Sequence, residues 1–597
     1  MMNWRCAIVV MMGCWCMNAL ATKEVVDFYE IRITPDSSLA DAVRKAREIR
    51  RTENMKVTIH LAPGVYHLYE PLRLRPEDSS LTIEGDGAII SGGQEINIWK
   101  EQDQNIYVAD IPDFNGRPVD FRQLWRNREK AVRARDIVDF EQMHRILTYD
   151  KKNQVLWIPK VAVASLLQKD QVKEGCEYVE MVLHEMWCTS NLRIKSLTPQ
   201  GDSVAVRFHN PEANLQFEHP WPSPMTPNTG HPSPFYITNA KPLLDSPGEW
   251  YHDIREHKLY YYPRDHEGMG KVLLATYPVL ETLVEVVGTA DYPVHDITIK
   301  GVTFSHTTWM RPSEKGHVPL QAGMYLREAY KLRPQIDRKN NHKLDNQGWL
   351  GRADAAVEVR HGENISFEDC RFEHLGGSGL DYVMGCKGGK VSNCRFRDIA
   401  MNGLVVGSFS PEGLETHRPY QPADTREVCN GLIIEESEFC DVSNEDWGCV
   451  AIAAGYVSGI HIEHNTIHDV SYTGISLGWG WNRDSVCMKD NKVHANLIYN
   501  YAQHMYDCAG IYTLGNQPGT VISENVVRDI AKPSYVHAPN HWFYLYTDEG
   551  SSNITIRDNW TPSEKFLQNA NGPGNVWENN GPQVSQQIKD NAGRQKQ

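Results

Sequence analysis

The sequence predicts an all-β chain: a parallel β-helix, or β-solenoid, interrupted by a β-rich insert. Three observations carry this. Short segments recur through the C-terminal half: VTFSH (302–306), CRFEH (370–374), CRFRD (394–398), SEFCD (437–441), NTIHD (465–469), NLIYN (496–500) and NVVRD (525–529). Their third residue is Phe, Ile or Val, their fifth is His, Asp or Asn, and from 370 onward they lie 24 to 43 residues apart. Similar short β runs punctuated by Gly and Pro occupy residues 57–92, and the stretch between 99 and 287 loses the pattern. One short-stranded unit repeated at such periods stacks on its neighbours to bury a face that it cannot bury alone.

Taken in order, the chain opens with MMNWRCAIVVMMGCWCMNALA, one Arg followed by an apolar run and an Ala-Leu-Ala end. That is the layout of a secretory signal peptide over residues 1–21. Residues 22–98 are expected to hold a capping helix and the first coils. PDSSLADAVRKAREI (36–50) is amphipathic with Asp36 or Ser37 as cap, and a helix there would cover the open end of the stack. Residues 99–287 form the insert, with strand-like YVEMVLHEMW and KLYYYPRD and a Pro- and His-rich loop, HPWPSPMTPNTGHPSPF. Residues 288–581 are the main β-helix and 582–597 a polar tail. The ten cysteines beyond the leader match no zinc spacing, and several fall at repeat positions where a small apolar side chain stacks.

Net charge is −15 with no long basic run, which argues against a nucleic-acid partner. No run after the leader reaches membrane-spanning length. Aromatics make up 10%, with 16 Trp and 26 Tyr, a composition that suits both a packed core and sugar-binding planes.

The repeat sorts the acids. Asp398, Asp441, Asp469 and Asp529 take the fifth position, where a turn uses Asp and Asn to bond its own backbone. From fifth residue to the next strand-opening glycine (Gly379, Gly403, Gly448, Gly474, Gly510) the steps are five, five, seven, five and ten residues. The extra residues before Gly448 and Gly510 contain Asp446 and Asp507, and Asp548 and Glu549 end a strand in the next coil, YLYTDEGSS. Added loop on a regular scaffold is where binding groups are carried. Rungs stack about 4.8 Å apart, so acids on neighbouring rungs can meet across one sugar. Glycosidic hydrolysis needs such a pair, one acid to protonate the leaving oxygen and one carboxylate to attack or to activate water.

Asp507 and Asp548 are the catalytic candidates, with Asp446, Asp381 or Glu549 as alternative partners if the inserted turn does not fold back. Substrate-binding candidates are Trp479, Trp481, His504, Tyr512, His541, Tyr546, Glu549 and Asp446; Tyr506 and Tyr544 would help exclude water. No metal or cofactor is expected. A polysaccharide lyase would need a Lys or Arg base and clustered Asp ligands for calcium, and a carbohydrate-binding adhesin would need no coupled acids.

HMYDCAGIYTLG with YLYTDEGSSNITI, the preceding GISLGWGW, and the earlier GEWYHD and KLYYYP resemble glycoside hydrolase family 141 over most of the mature chain. The resemblance implies a right-handed parallel β-helix, a pair of catalytic aspartates at Asp507 and Asp548, and no metal. It also implies α-L-fucosidase activity on the pectic glycan rhamnogalacturonan II, or alternatively xylanase or β-xylosidase-type activity, in a monomer of the bacterial periplasm or cell surface.

Overall fold

The computed structural model describes residues 28–595 apart from 54, 104, 128, 170, 219–221, 266–273, 328–349 and 410–418. The leader (1–21) and the start of the Pro-rich loop lie outside the described residues. None of the described helices is long and apolar enough to cross a membrane.

The architecture is a parallel β-helix with three faces. One face runs from Phe28–Ile33 through Lys56–Leu61, Gly362–Glu368, Lys390–Ser392, Ile433–Glu435, His461–Glu463 and Lys492–His494 to Val576–Glu578. The aligned repeats form the second face: Phe304, Phe372, Phe396, Phe439, Ile467, Ile498 and Val527 are register partners, one on each rung. All seven are fully buried, and the rings of Phe372, Phe396 and Phe439 stack at 4.6 and 4.4 Å. The fifth residues, His306, His374, Asp398, Asp441, Asp469, Asn500 and Asp529, all have φ between 49° and 62°. That left-handed corner is one that Asp and Asn tolerate better than other side chains.

The third face has ten parallel strands from Leu72–Leu74 to Phe566–Gln568 and carries the site. Its strands alternate. Ile475, Ile511 and Leu545 enter the core, while Ser476, Tyr512 and Tyr546 point outward on successive rungs. The glycines that open these strands let the backbone of adjacent coils approach. A Cβ on Gly379 would sit 2.5 Å from the carbonyl oxygen of Gly403.

An asparagine ladder stiffens the first corner. The Nδ2 groups of Asn465, Asn496, Asn525 and Asn559 each donate to the carboxamide oxygen of the next Asn, ending at Asn580, at 2.8–3.0 Å. The same oxygens accept the backbone N–H of the preceding Asn, so these buried groups satisfy one another.

The helix Leu39–Glu53 packs Leu39, Val43, Ala46 and Ile49 over the first coils, and its cap is Ser38, whose Oγ accepts Asp41 N–H at 3.1 Å, rather than Asp36 or Ser37. The insert is almost wholly antiparallel, in sheets of four, five and seven strands. Gly93–Ile96 already pairs there, with Ala275–Pro278, while Val284–Val287 lies in the third face of the solenoid. The insert therefore opens a few residues before 99 and closes before 284. Beyond 581 a short helix, Gln586–Asn591, is followed by Arg594, which donates to Glu436 O and Asn393 and docks the tail on the solenoid. All ten described cysteines are free thiols.

Candidate active site

Asp507 and Asp548 occupy opposite ends of adjacent rungs. Asp507 immediately precedes the strand Cys508–Thr513, and its N–H donates to His541 O. Asp548 follows Trp542–Thr547 on the next rung. The inserted turn does not fold back across the face; a pair of tyrosines closes the gap instead. The Tyr546 hydroxyl donates to Asp507 Oδ1 at 3.3 Å, and its ring meets edge-on, at 5.0 Å, that of Tyr512, whose own hydroxyl donates to Asp548. Two tyrosines in contact thus connect the acids, one bonded to each.

The two carboxyls have different surroundings. Asp548 is 9% exposed; Tyr512 donates to Oδ2 at 2.5 Å and Asn569 to Oδ1 at 2.7 Å. Burial pushes its pKa up to about 6, against the pull of those two donors. Asp507 is more open and accepts from His541 Nε2 at 3.1 Å. That contact raises the imidazole above its ordinary value. Tyr472 donates to the Asp507 carbonyl at 2.9 Å and completes the layer of phenols with Tyr512 and Tyr546. Among the described residues no lysine or arginine hydrogen-bonds to either aspartate; the lysine nearby, Lys565, donates to Asn540 O and lies over the Trp542 ring at 3.8 Å.

Tyr512, Tyr546 and His541 thus join the two acids as the sequence suggests, and the half-buried Glu549 adjoins Asp548, giving it a backbone N–H. The other candidates go elsewhere. Trp479 is 1% exposed, wedged edge-on between Phe409 and Trp481, which is itself 6% exposed; both are core rather than sugar platforms. His504 lies under the insert. It stacks on Trp447 at 4.3 Å, meets Phe140 edge-on and bonds Tyr535 Oη, and burial lowers its pKa to about 3. Asp446 is held by His317 Nε2 at 2.9 Å, Thr189 Oγ1 at 3.2 Å and Gly448 N, away from the pair. Asp381 is bound twice by Arg352. Tyr506 and Tyr544 are buried nearby.

The sequence reading missed Tyr472 and Asn569. Tyr472 stands two residues before the strand-opening Gly474, where the other coils have Gly377, Met401, Asp446 and Cys508, so no recurring residue type marks the position. The Pro- and His-rich loop does approach the site's flank: His537 Nδ1 lies 3.2 Å from His231 O, four residues before His541. A His/Cys/Glu trio at Glu438, Cys440 and His468 could hold a metal by spacing alone, but it sits on the second face with Arg395 on Glu438.

A β-helix that presents paired acids beneath a tyrosine layer defines a carbohydrate-processing enzyme. A solved structure described as a glycoside hydrolase is 56% identical, with a TM-score of 0.92, covering 95% of this chain and 99% of that one. The GH141 insertion domain matches residues 104–264, the body of the insert. The chain is a glycoside hydrolase and belongs to family 141. It is also similar to the XylC–xylose complex (12% identity, 90% of this chain and 70% of that one, TM-score 0.42). The pneumococcal surface adhesin PfbA of Streptococcus pneumoniae gives 11%, 90%, 76% and 0.35. Neither TM-score reaches the level of a shared fold. No curated protein matches the chain.

Proposed function

We propose that this glycoside hydrolase is an exported α-L-fucosidase that acts on rhamnogalacturonan II, with Asp548 as general acid and Asp507 as the carboxylate partner. The observation that carries the pairing is the contact between Tyr546, bonded to Asp507, and Tyr512, bonded to Asp548. The choice of sugar rests on the family resemblance, with xylan as the alternative substrate, and the export rests on the leader.

Asp548, with a pKa of about 6, keeps a proton in weakly acidic solution and can give it to the leaving oxygen. Asp507 is the acid open to solvent. It attacks the anomeric carbon or takes a proton from water, and His541 and Tyr546 hold its carboxylate in place. Burial is what keeps Asp548 protonated, against the pull of the Tyr512 and Asn569 donors.

The test is release of product from aryl α-L-fucoside, rhamnogalacturonan II oligosaccharides and xylan by wild type, Asp507→Asn and Asp548→Asn. The expected result is release from the fucosides, with a loss of roughly 10²–10⁴-fold in each variant. Near-normal rates in either variant remove that residue from the mechanism. An ultraviolet-absorbing unsaturated product would establish a lyase instead.

A further inference from the structure

Residues 530–541 leave the coil after the repeat NVVRD and return at the strand Trp542–Thr547. Their course is fixed from two sides. Ala531 N–H donates to Tyr501 O in the solenoid, while Ser534 N–H donates to Glu141 of the insert at 3.3 Å and His537 to His231 O at 3.2 Å. The loop held in this way brings Lys532 over the Trp542 ring, with Nζ 4.6 Å from its centroid. A second lysine reaches the same ring from the following rung. Lys565 immediately precedes the strand Phe566–Gln568, and its Nζ lies 3.8 Å from the Trp542 centroid and 5.8 Å from that of Phe543.

Phe543 fixes where this pair of cations stands. Its ring meets His541 edge-on at 5.1 Å and Tyr546 at 5.3 Å, and those two side chains are the ones bonded to Asp507. Lys565 is close enough to His541 to oppose its charge. The lysines therefore flank the Asp507 end of the site, with Asp548 at the far end of the same strand. Lys532 and His541 are both exposed, so a ligand can reach them. Among the described residues neither ammonium makes an ion pair, in a chain whose net charge is −15. Lys565 uses one N–H on Asn540 O at 2.7 Å and has two left. One cation over an indole is favourable, but a second beside it brings repulsion. A carboxylate seated between the two would answer both charges, and it would offset the repulsion that an anionic glycan meets from the rest of this acidic chain.

We propose that Lys532 and Lys565 form a carboxylate-binding subsite, which selects glycans carrying a uronate unit beside the sugar whose linkage is cleaved. The subsite rests on the function proposed above for its substrate, and the test separates the two. Lys532→Gln and Lys565→Gln, singly and together, remove the charges, and each variant is checked for an unchanged Tm. The substrates are rhamnogalacturonan II oligosaccharides, the same oligosaccharides with their uronates reduced to neutral sugars, and aryl α-L-fucoside. In the double variant, kcat/KM on the acidic oligosaccharide should fall about tenfold through KM, while that on the reduced form and on the fucoside stays within about twofold. Added salt should slow the wild type on the acidic form and leave the double variant nearly unchanged. An equal loss on acidic and reduced substrates, or an acidic rate that the double change leaves intact, overturns the proposal. Binding is read separately by calorimetric titration in an Asp548→Asn background, where the acidic form should bind about tenfold more weakly once both lysines are replaced. If wild type cleaves neither fucoside nor oligosaccharide, the sugar assignment fails and the titration still decides the lysines: equal binding of acidic and reduced forms with both lysines present refutes them.

Discussion

Replacing Asp548 with asparagine should abolish activity and stabilise the protein above neutral pH, and the size of the second effect follows from the site. Burial raises the carboxyl from 3.8 to about 6 in the folded chain. The folded value exceeds the unfolded one, so the stability this group contributes is full below about pH 4 and is lost as pH rises through 6. Two pKa units at about 1.36 kcal/mol each set a ceiling of about 3 kcal/mol, borne in full by wild type at pH 8. The carboxamide of the variant does not titrate. The difference in stability, variant minus wild type, should therefore climb between pH 4 and 7 and then level off. Unfolding entropy of about 2.1 cal/mol/K per residue over 597 residues gives about 1.25 kcal/mol/K, so the climb in Tm is about 2–3 °C. Calorimetric melts of both proteins at half-unit pH steps measure it. A difference that stays flat from pH 4 to 8 would refute the buried, raised acid, and so would an Asp548→Asn variant that keeps its hydrolytic rate.

Tyr546→Phe removes the hydroxyl that donates to Asp507. It should lower kcat about 10–100-fold with little change in KM and shift the alkaline limb of the pH–rate profile, whereas a purely structural role would leave that limb in place. Asn525→Ala interrupts the ladder, leaving the Asn496 backbone N–H without its acceptor while the Asn496 Nδ2 group keeps Ile462 O and His494 O. A loss of roughly 1–3 kcal/mol for the orphaned group is expected in denaturant melts, with kcat unchanged for the fraction that remains folded.

The fold was legible because every coil repeats one environment. The residue that must stack inward and the residue that must turn a left-handed corner recur in a fixed frame, so Phe372, Phe396 and Phe439 announce the second face and Asp398, Asp441 and Asp469 its corners. The same frame exposed Asp507 and Asp548 as acids out of step. It could not show what joined them, because Tyr512 and Tyr546 act by the reach of their side chains rather than by their place in the register. It misjudged His504, which packs with Trp447, more deeply. Their partners, Phe140, His184 and Tyr236, lie some 200 to 360 residues earlier in an insert with no repeat, and nothing local in the solenoid sequence records that contact. Trp479 and Trp481 break the repeat as a platform would, yet the break serves packing against Phe409.

Two buried aspartates of this solenoid show how structure separates scaffold from chemistry. Asp398 is 7% exposed and Asp548 9%, so both give up comparable hydration. Asp398 is met by Lys130 at 2.9 Å, His374 at 2.7 Å and the Trp125 indole at 2.8 Å, and the cation beside it holds it well below the usual carboxylate range. It is locked as an anion and fastens the insert to the coils. Asp548 is met by neutral donors, a phenol and a carboxamide, and its pKa moves the other way. Burial raises an acid unless the cation beside it outweighs the lost hydration, and Asp381, paired with Arg352, is still pushed up to about 6. A group meant to hold a structure gains nothing from sitting near its titration point, whereas a group that must give and regain a proton does. What supports the proposal that Asp548 is the acid of the pair is therefore its place near Asp507 together with neutral donors and a raised pKa, since a raised pKa alone is shared by Asp381.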